Sequence, residues 1–360
     1  MATVTSVVAQ PAVAAWPLRR DAGACVDAPE NRGLDRSIAA GVEAFNLGQI
    51  ASANKRLRRA RRQAWLVDDP VASGRTAYNL AAIAASDGRP YEAIDLLIDA
   101  RSDLARGGCS TLDAWLLQSR IEVGLNQPGE AARSVAKARR QCSPCCDQCG
   151  RVCGVRPCDR RSCLQRLPGI GKRIEDKRRD EDCQSMVAAR IQLATARVAV
   201  MTGDIAAAIK AVRCASSSVA GLCDYSLLAD VEDVAALIDQ QTGLDCAAVG
   251  HLDRQVVLLR LAEQSREIPK VLMHAAEIDV RLGHFAAAAS RANRAARVYL
   301  SRDEPEKAWQ ILQRATPWIQ WSSCRSIAIR MTITARAIEA ELRRHRRVDG
   351  LVDQDEMLTR

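Results

Sequence analysis

Small and apolar residues return in one arrangement about every forty residues along this chain. A Gly is followed by an apolar residue two positions on, a small residue five on, an apolar or small residue nine on and Ala twelve on. Gly48, Ile50, Ala53, Leu57 and Ala60 follow the pattern, as do Gly203, Ile205, Ala208, Val212 and Ala215, and Gly283, Phe285, Ala288, Ala292 and Ala295. Gly88, Pro90, Ala93, Leu97 and Ala100 keep the register with Pro in second place. Positions five, nine and twelve are separated by four and three residues, so they share one face of a helix. Gly can close the preceding helix because it enters the left-handed region at little cost. The stretches ahead of each Gly have helical spacing too: Ile38, Val42 and Phe45 precede Gly48, and Met273, Ala276 and Val280 precede Gly283. Each unit predicts helix, tight turn, helix. A recurrence of such units predicts a stacked all-α array, and the absence of sustained period-two alternation argues against strands.

With Gly48, Ala53, Leu57 and Ala60 setting small residues at close-packing sites and a bulky one between them, the chain resembles tetratricopeptide repeats. The resemblance runs over roughly residues 34–315 with one interruption. It departs from that family in a period near 40 instead of about 34, and in lacking a Trp near the start of each unit. The unit containing Gln127, Gly129, Ala132 and Ala136 has no Gly at its turn, and the one from Gly243 through Asp245, Ala248 and Leu252 to Gln255 keeps the pattern only in part. The resemblance implies an α-solenoid of antiparallel helical hairpins. Arrays of this kind present an extended concave surface built from the first helix of each unit. Asn46, Asn79, Gln192, Arg197, Glu277 and Arg281 lie on those first helices and are the expected partner-binding residues.

The period divides the chain into a leader (1–33), an N-terminal array (34–140), a Cys-rich basic insertion expected to be non-helical (141–183), a C-terminal array (184–318), a terminal helix (319–347) and a tail (348–360). Leader and tail are expected to lack regular structure. Composition agrees with close helix packing: 48% of residues are hydrophobic but only 3% are aromatic. The net charge of +9 is unevenly placed. Lys55–Arg62 and Arg151–Asp180 each carry +6 and Arg343–Arg347 carries +4, which leaves the rest of the chain mildly acidic. Such patches attract acidic protein segments, nucleic acid or anionic membrane. Aromatic residues do not interleave with them, which argues against a stacking platform for single strands.

The insertion holds seven of the fourteen cysteines: Cys142, Cys145, Cys146, Cys149, Cys153, Cys158 and Cys163. Two-residue spacing lets a pair of thiolates reach one tetrahedral metal, so these seven are candidate zinc ligands, four at a time. The competing readings are an irregular Cys-rich loop, a disulfide-stapled loop or an iron–sulfur cluster. The other cysteines, among them Cys25, Cys109, Cys214, Cys223, Cys246 and Cys324, read as small core residues. Directly after the cluster, Leu167-Pro168-Gly169-Ile170-Gly171-Lys172-Arg173 resembles the turn of a helix-hairpin-helix motif. That resemblance implies phosphate contacts from Gly169, Gly171, Lys172 and Arg173. The wholly charged run behind it offers a second helix no apolar face.

No nucleotide, hydrolase, zinc-protease or dinucleotide motif is present. The expected function is therefore a non-enzymatic scaffold that binds a protein partner in the groove, with zinc as the one cofactor in view. The alternative is a zinc-stabilised, nucleic-acid-associated protein using the insertion and the basic patches. No apolar stretch is long enough to span a bilayer. The expected location is the cytoplasm or nucleus, or an organelle if the leader acts as a transit peptide.

Overall fold

The computed structural model describes residues 32–141, 171–220, 222, 224–322 and 324–358, with side chains described for 33–141, 185–220, 222, 224–322 and 324–345. Among these, every element is helical. The helices are α1 (Arg32–Asn46), α2 (Ile50–Leu66), α3 (Pro70–Ser86), α4 (Pro90–Arg106), α5 (Leu112–Gly124), α6 (Pro128–Gln141), α7 (Gly171–Met201), α8 (Ile205–Val219), α9 (Tyr225–Gln241), α10 (Asp245–Leu261), α11 (Ile268–Arg281), α12 (Phe285–Leu300), α13 (Pro305–Ser322) and α14 (Arg325–Leu358), with one 3₁₀ turn at Ser265–Glu267. Consecutive helices pack as antiparallel hairpins, α1 with α2 through α11 with α12, and each hairpin stacks on the next. The long α14 lies against both α13 and α12 and so caps the array.

The recurring small residues do what their spacing predicts. Ala53, Leu57, Ala60 and Ala64 are wholly buried on α2, and Ala93, Leu97 and Ala100 repeat the arrangement on α4. Each fully buried Leu on these faces contributes about 2 kcal/mol of transfer free energy. Close approach is strictest at Gly74, where an added Cβ would lie 2.7 Å from Leu104 Cγ and 2.9 Å from its backbone nitrogen.

The turns share one construction. Ten residues between helices have positive φ: Gly48, Gly88, Gly108, Gly203, Gly243 and Gly283, with Asp68, Asn126, Glu263 and Asp303. At each, the next residue's N–H reaches back five residues to a helix carbonyl, as Gln49 does to Ala44 (2.8 Å) and Gln264 to Leu259 (2.9 Å). This is the Schellman closure. Asn126 (φ +57°) fills the turn that lacked a Gly. Where the turn residue has a Cβ, the left-handed conformation costs about 1–2 kcal/mol. Glu263→Gly is therefore expected to stabilise the protein by about 1 kcal/mol. Gly283→Ala, where an added Cβ meets nothing within 4 Å, should lose about as much. Urea midpoints followed by circular dichroism check both, and a shift of the same sign in the two variants would contradict this account.

Three boundaries differ from the sequence reading. Helix α7 begins at Gly171, so residues 171–183 of the expected non-helical insertion are helical. Their Glu, Lys and Arg are good helix formers, and opposite charges recur four apart in the sequence, as at Glu175 and Arg179. The terminal helix starts at Arg325, after α13 ends at Ser322, and continues through residues expected to form an irregular tail. The leader's last two residues belong to α1. Residues 1–31 and the cysteine cluster 142–163 lie outside the described residues.

The array curls back on itself. The Arg266 guanidinium sits 3.9 Å from the centre of the Phe45 ring, joining the first hairpin to the start of α11. Arg302, in the α12–α13 turn, donates to the carbonyls of Arg266 (3.2 Å) and Ser265. Its Cδ would lie 2.9 Å from a Cβ on Gly48. Hairpins more than two hundred residues apart in sequence thus touch.

Candidate functional site

The first helices of the third, fourth and fifth hairpins converge on a buried charged cluster. Arg120 of α5 donates through both Nη atoms to Asp230 of α9, at 3.3 and 3.2 Å. Arg197 of α7 reaches Asp230 at 3.1 Å and Asp233 at 3.0 Å. Gln255 of α10 donates to the second oxygen of Asp233 at 3.4 Å. Arg190 of α7 pairs with Asp113 of α5 at 3.0 Å. The cluster faces a cavity of roughly 30 Å³ lined by Tyr78, Leu117 and Leu193 and by Asp113, Arg120, Arg190, Arg197 and Asp230, a volume comparable to one or two waters.

Burial dominates the electrostatics. Arg197 is 4% exposed. Desolvation alone would lower its pKa, but Asp230 and then Asp233 outweigh it, and the net shift is upward. Arg120 goes the other way: desolvation wins over Asp230, and Arg197 adds repulsion. Burial pushes the Tyr78 phenol well above its usual range, with Asp113 adding to the effect and Arg190 and Arg120 opposing it. Buried pairs of this kind are costly to break and specify a single arrangement of the helices that share them.

The structure places the six expected partner-binding residues unevenly. Asn79 and Arg197 are buried, so in the closed array Arg197 clamps neighbouring helices and does not face an open groove. Asn46 and Gln192 are half-buried. Glu277 is half-buried and pairs with Arg314 at 2.9 Å, and Arg281 is exposed and pairs with Asp245 at 3.0 Å. Only Arg197 joins the central cluster. Asp113, Arg120, Arg190 and Asp230 were not singled out from sequence; Tyr78 reads there only as a helix-face residue, and Asp233, whose pairing with the adjacent Glu232 suggests a solvated face, is buried at 7% exposure. A usable signal existed: opposite charges recur about one period apart. Arg75 pairs with Asp35 at 3.0 Å, Arg61 with Asp99 at 2.7 Å and Arg314 with Glu277 at 2.9 Å, and Arg291 pairs with Asp253.

Of the phosphate-binding candidates, Gly171, Lys172 and Arg173 form the first turn of α7; Gly169 and all seven candidate zinc ligands lie outside the described residues. Cys109 and Cys214, expected as plain core residues, are each disulfide-bonded. The described free thiols are Cys246 and Cys324. His251 has both ring nitrogens within ion-pair distance of carboxylates, Glu232 at 2.6 Å and Asp239 at 3.4 Å, which staples α9 to α10. Among the described residues, Asp303, Glu341 and His345 are the one His-and-acid group close enough to share an ion. It is a surface group in which His345 ties α14 to the α12–α13 turn at 2.9 Å. No described helix is long and apolar enough to cross a membrane.

No protein-family model and no curated protein matches the chain. Among solved structures, 26 chains match. One is the TPR2AB domain of yeast Sti1 in a pHSP90 complex, at 12% identity over 80% of this chain and 100% of that one, with a TM-score of 0.27. Another is a tetratricopeptide repeat protein from Parabacteroides merdae, at 13% identity over 79% of this chain and 100% of that one, with a TM-score of 0.28. The hairpins, shared turns and small-residue faces themselves define the architecture: in fold, the chain is a tetratricopeptide-like all-α solenoid.

Proposed function

We propose that this protein is a non-enzymatic scaffold that binds a polypeptide partner along the first-helix side of its array. The observation that carries this reading is the division of labour on that side. Buried Arg197 and the charges around it fix the helices, while Asn46, Gln192, Glu277 and Arg281 keep access to solvent. A rigid frame beneath adaptable polar groups suits recognition of a chain segment, because little ordering cost is left for binding. The test is affinity capture with nuclease present, followed by identification and measured binding of the main partner. Replacing Gln192 and Glu277 by Ala should weaken that partner about tenfold with the helical spectrum unchanged, as expected when a few contacts dominate an interface. Loss of the dominant partner on nuclease treatment, with no effect of those replacements, would remove the reading and leave nucleic acid in its place.

A further inference from the structure

The outer helix of the first hairpin carries a second feature, independent of the first-helix side. On α2, Ala53, Leu57, Ala60 and Ala64 face inward. Lys55, Arg59, Arg62 and Leu66 follow at steps of four, three and four, so they form one stripe on the opposite face, about 16 Å long. All four are exposed. Two other cations of this helix are neutralised by α4: Arg58 lies 3.4 Å from Glu92, and Arg61 lies 2.7 Å from Asp99. The stripe cations and Arg56 have no carboxylate partner among the described residues.

The far end of the stripe is apolar and firm. Leu66 is 86% exposed and Val67 55%. Beside them the Trp65 ring is pinned, with Arg61 stacked at 4.9 Å and Nε1 donating to Ser73 Oγ at 2.8 Å. Of the two acids at this tip, Asp68 lies 3.9 Å from Arg106, and Asp69 accepts the Ala72 N–H at 2.9 Å.

We propose that this stripe docks an acidic amphipathic segment of a protein partner, lying as a helix along α2. Width selects the occupant. The neighbouring α4 presents Asp95 to solvent, without an ion-pair partner among the described residues, about 10 Å away at ordinary helix spacing. A flat anionic membrane or a nucleic-acid duplex would cover both helices and meet this carboxylate. A single helix covers only α2. Carboxylates at matching steps of four and three would face Lys55, Arg59 and Arg62, and an apolar side chain one turn further would cover Leu66. Trp65 is a poor base-stacking platform, because Arg61 already occupies a ring face.

The test uses the full chain and a fluorescent, Ala-rich helical peptide with Glu at i, i+4 and i+7 and Leu at i+11, read by polarisation. Tight binding that weakens on added salt is expected. Scrambling the peptide should weaken it about tenfold, and so should Arg59→Ser with Arg62→Ser. Leu66→Ser should weaken it several-fold, and Arg343→Ser with Arg344→Ser on α14 should leave it unchanged; circular dichroism confirms that each variant folds. Equal binding of the scrambled peptide overturns the proposal. So does tighter binding of phosphatidylserine-containing vesicles or of an oligonucleotide when that binding is lost in the Arg59/Arg62 variant.

Discussion

Arg197→Ala is expected to cost about 3–5 kcal/mol, the usual result of removing one member of a buried ion pair. The guanidinium contacts both Asp230 and Asp233, and these carboxylates are 5% and 7% exposed. Without it, Asp230 keeps Arg120, and Asp233 keeps only the long hydrogen bond from Gln255. An uncompensated buried carboxylate favours its protonated form, so its folded pKa rises above the unfolded value. Such a group destabilises the fold at neutral pH, and the loss is relieved as pH falls through the folded pKa. The stability gap between the native protein and the variant should therefore narrow from pH 7 toward pH 5. Asp233→Asn added to Arg197→Ala should recover about half of the loss, since the two sites are coupled. Urea midpoints at several pH values measure all three effects. A variant with the native midpoint at pH 7 would show that the cluster does not hold these helices together.

The second large effect concerns the contact between the ends of the array. Phe45→Ala should cost about 3–4 kcal/mol as a buried aromatic truncation, and should also remove the surface on which Arg266 rests. Small-angle scattering should then show a larger radius of gyration, because the first hairpin is no longer tied to the sixth. Leu252→Ala on α10 is the control: Leu252 is 1% exposed and its loss is comparably costly, but it lies away from the contact and should leave the radius unchanged. Equal radii for the two variants at matched stability would mean that the ends stay together without Phe45.

The architecture was legible because it depends on short-range chemistry repeated many times. The Gly at each hairpin turn and the Ala faces state the period directly, and Asn126 could have been read as a turn because Asn also tolerates the left-handed region. The cluster was hidden for a different reason. Arg120 and Asp230 are separated by 110 residues and three intervening helices, and only the curvature of the stack brings them together. Asn79 and Arg197 were placed on the correct helices, but their burial depends on how tightly the array winds. The charged run after Gly171 was misread because a helix without an apolar face was taken to be no helix at all, although like any other helix it can form from propensity and spaced charges.

The meeting of Phe45 and Gly48 with Arg266 and Arg302 also bears on how such a chain can change length. An open stack can gain or lose a hairpin at little cost, because each unit needs only its neighbours. Here duplication or deletion of one unit would rotate the last hairpins past the first and leave Arg266 and Arg302 facing solvent. The number of hairpins between α1 and α11 is thereby constrained by geometry. Extra residues are tolerated only between hairpins, and the sequence carries its longest interhelical stretch, residues 142–170, between α6 and α7.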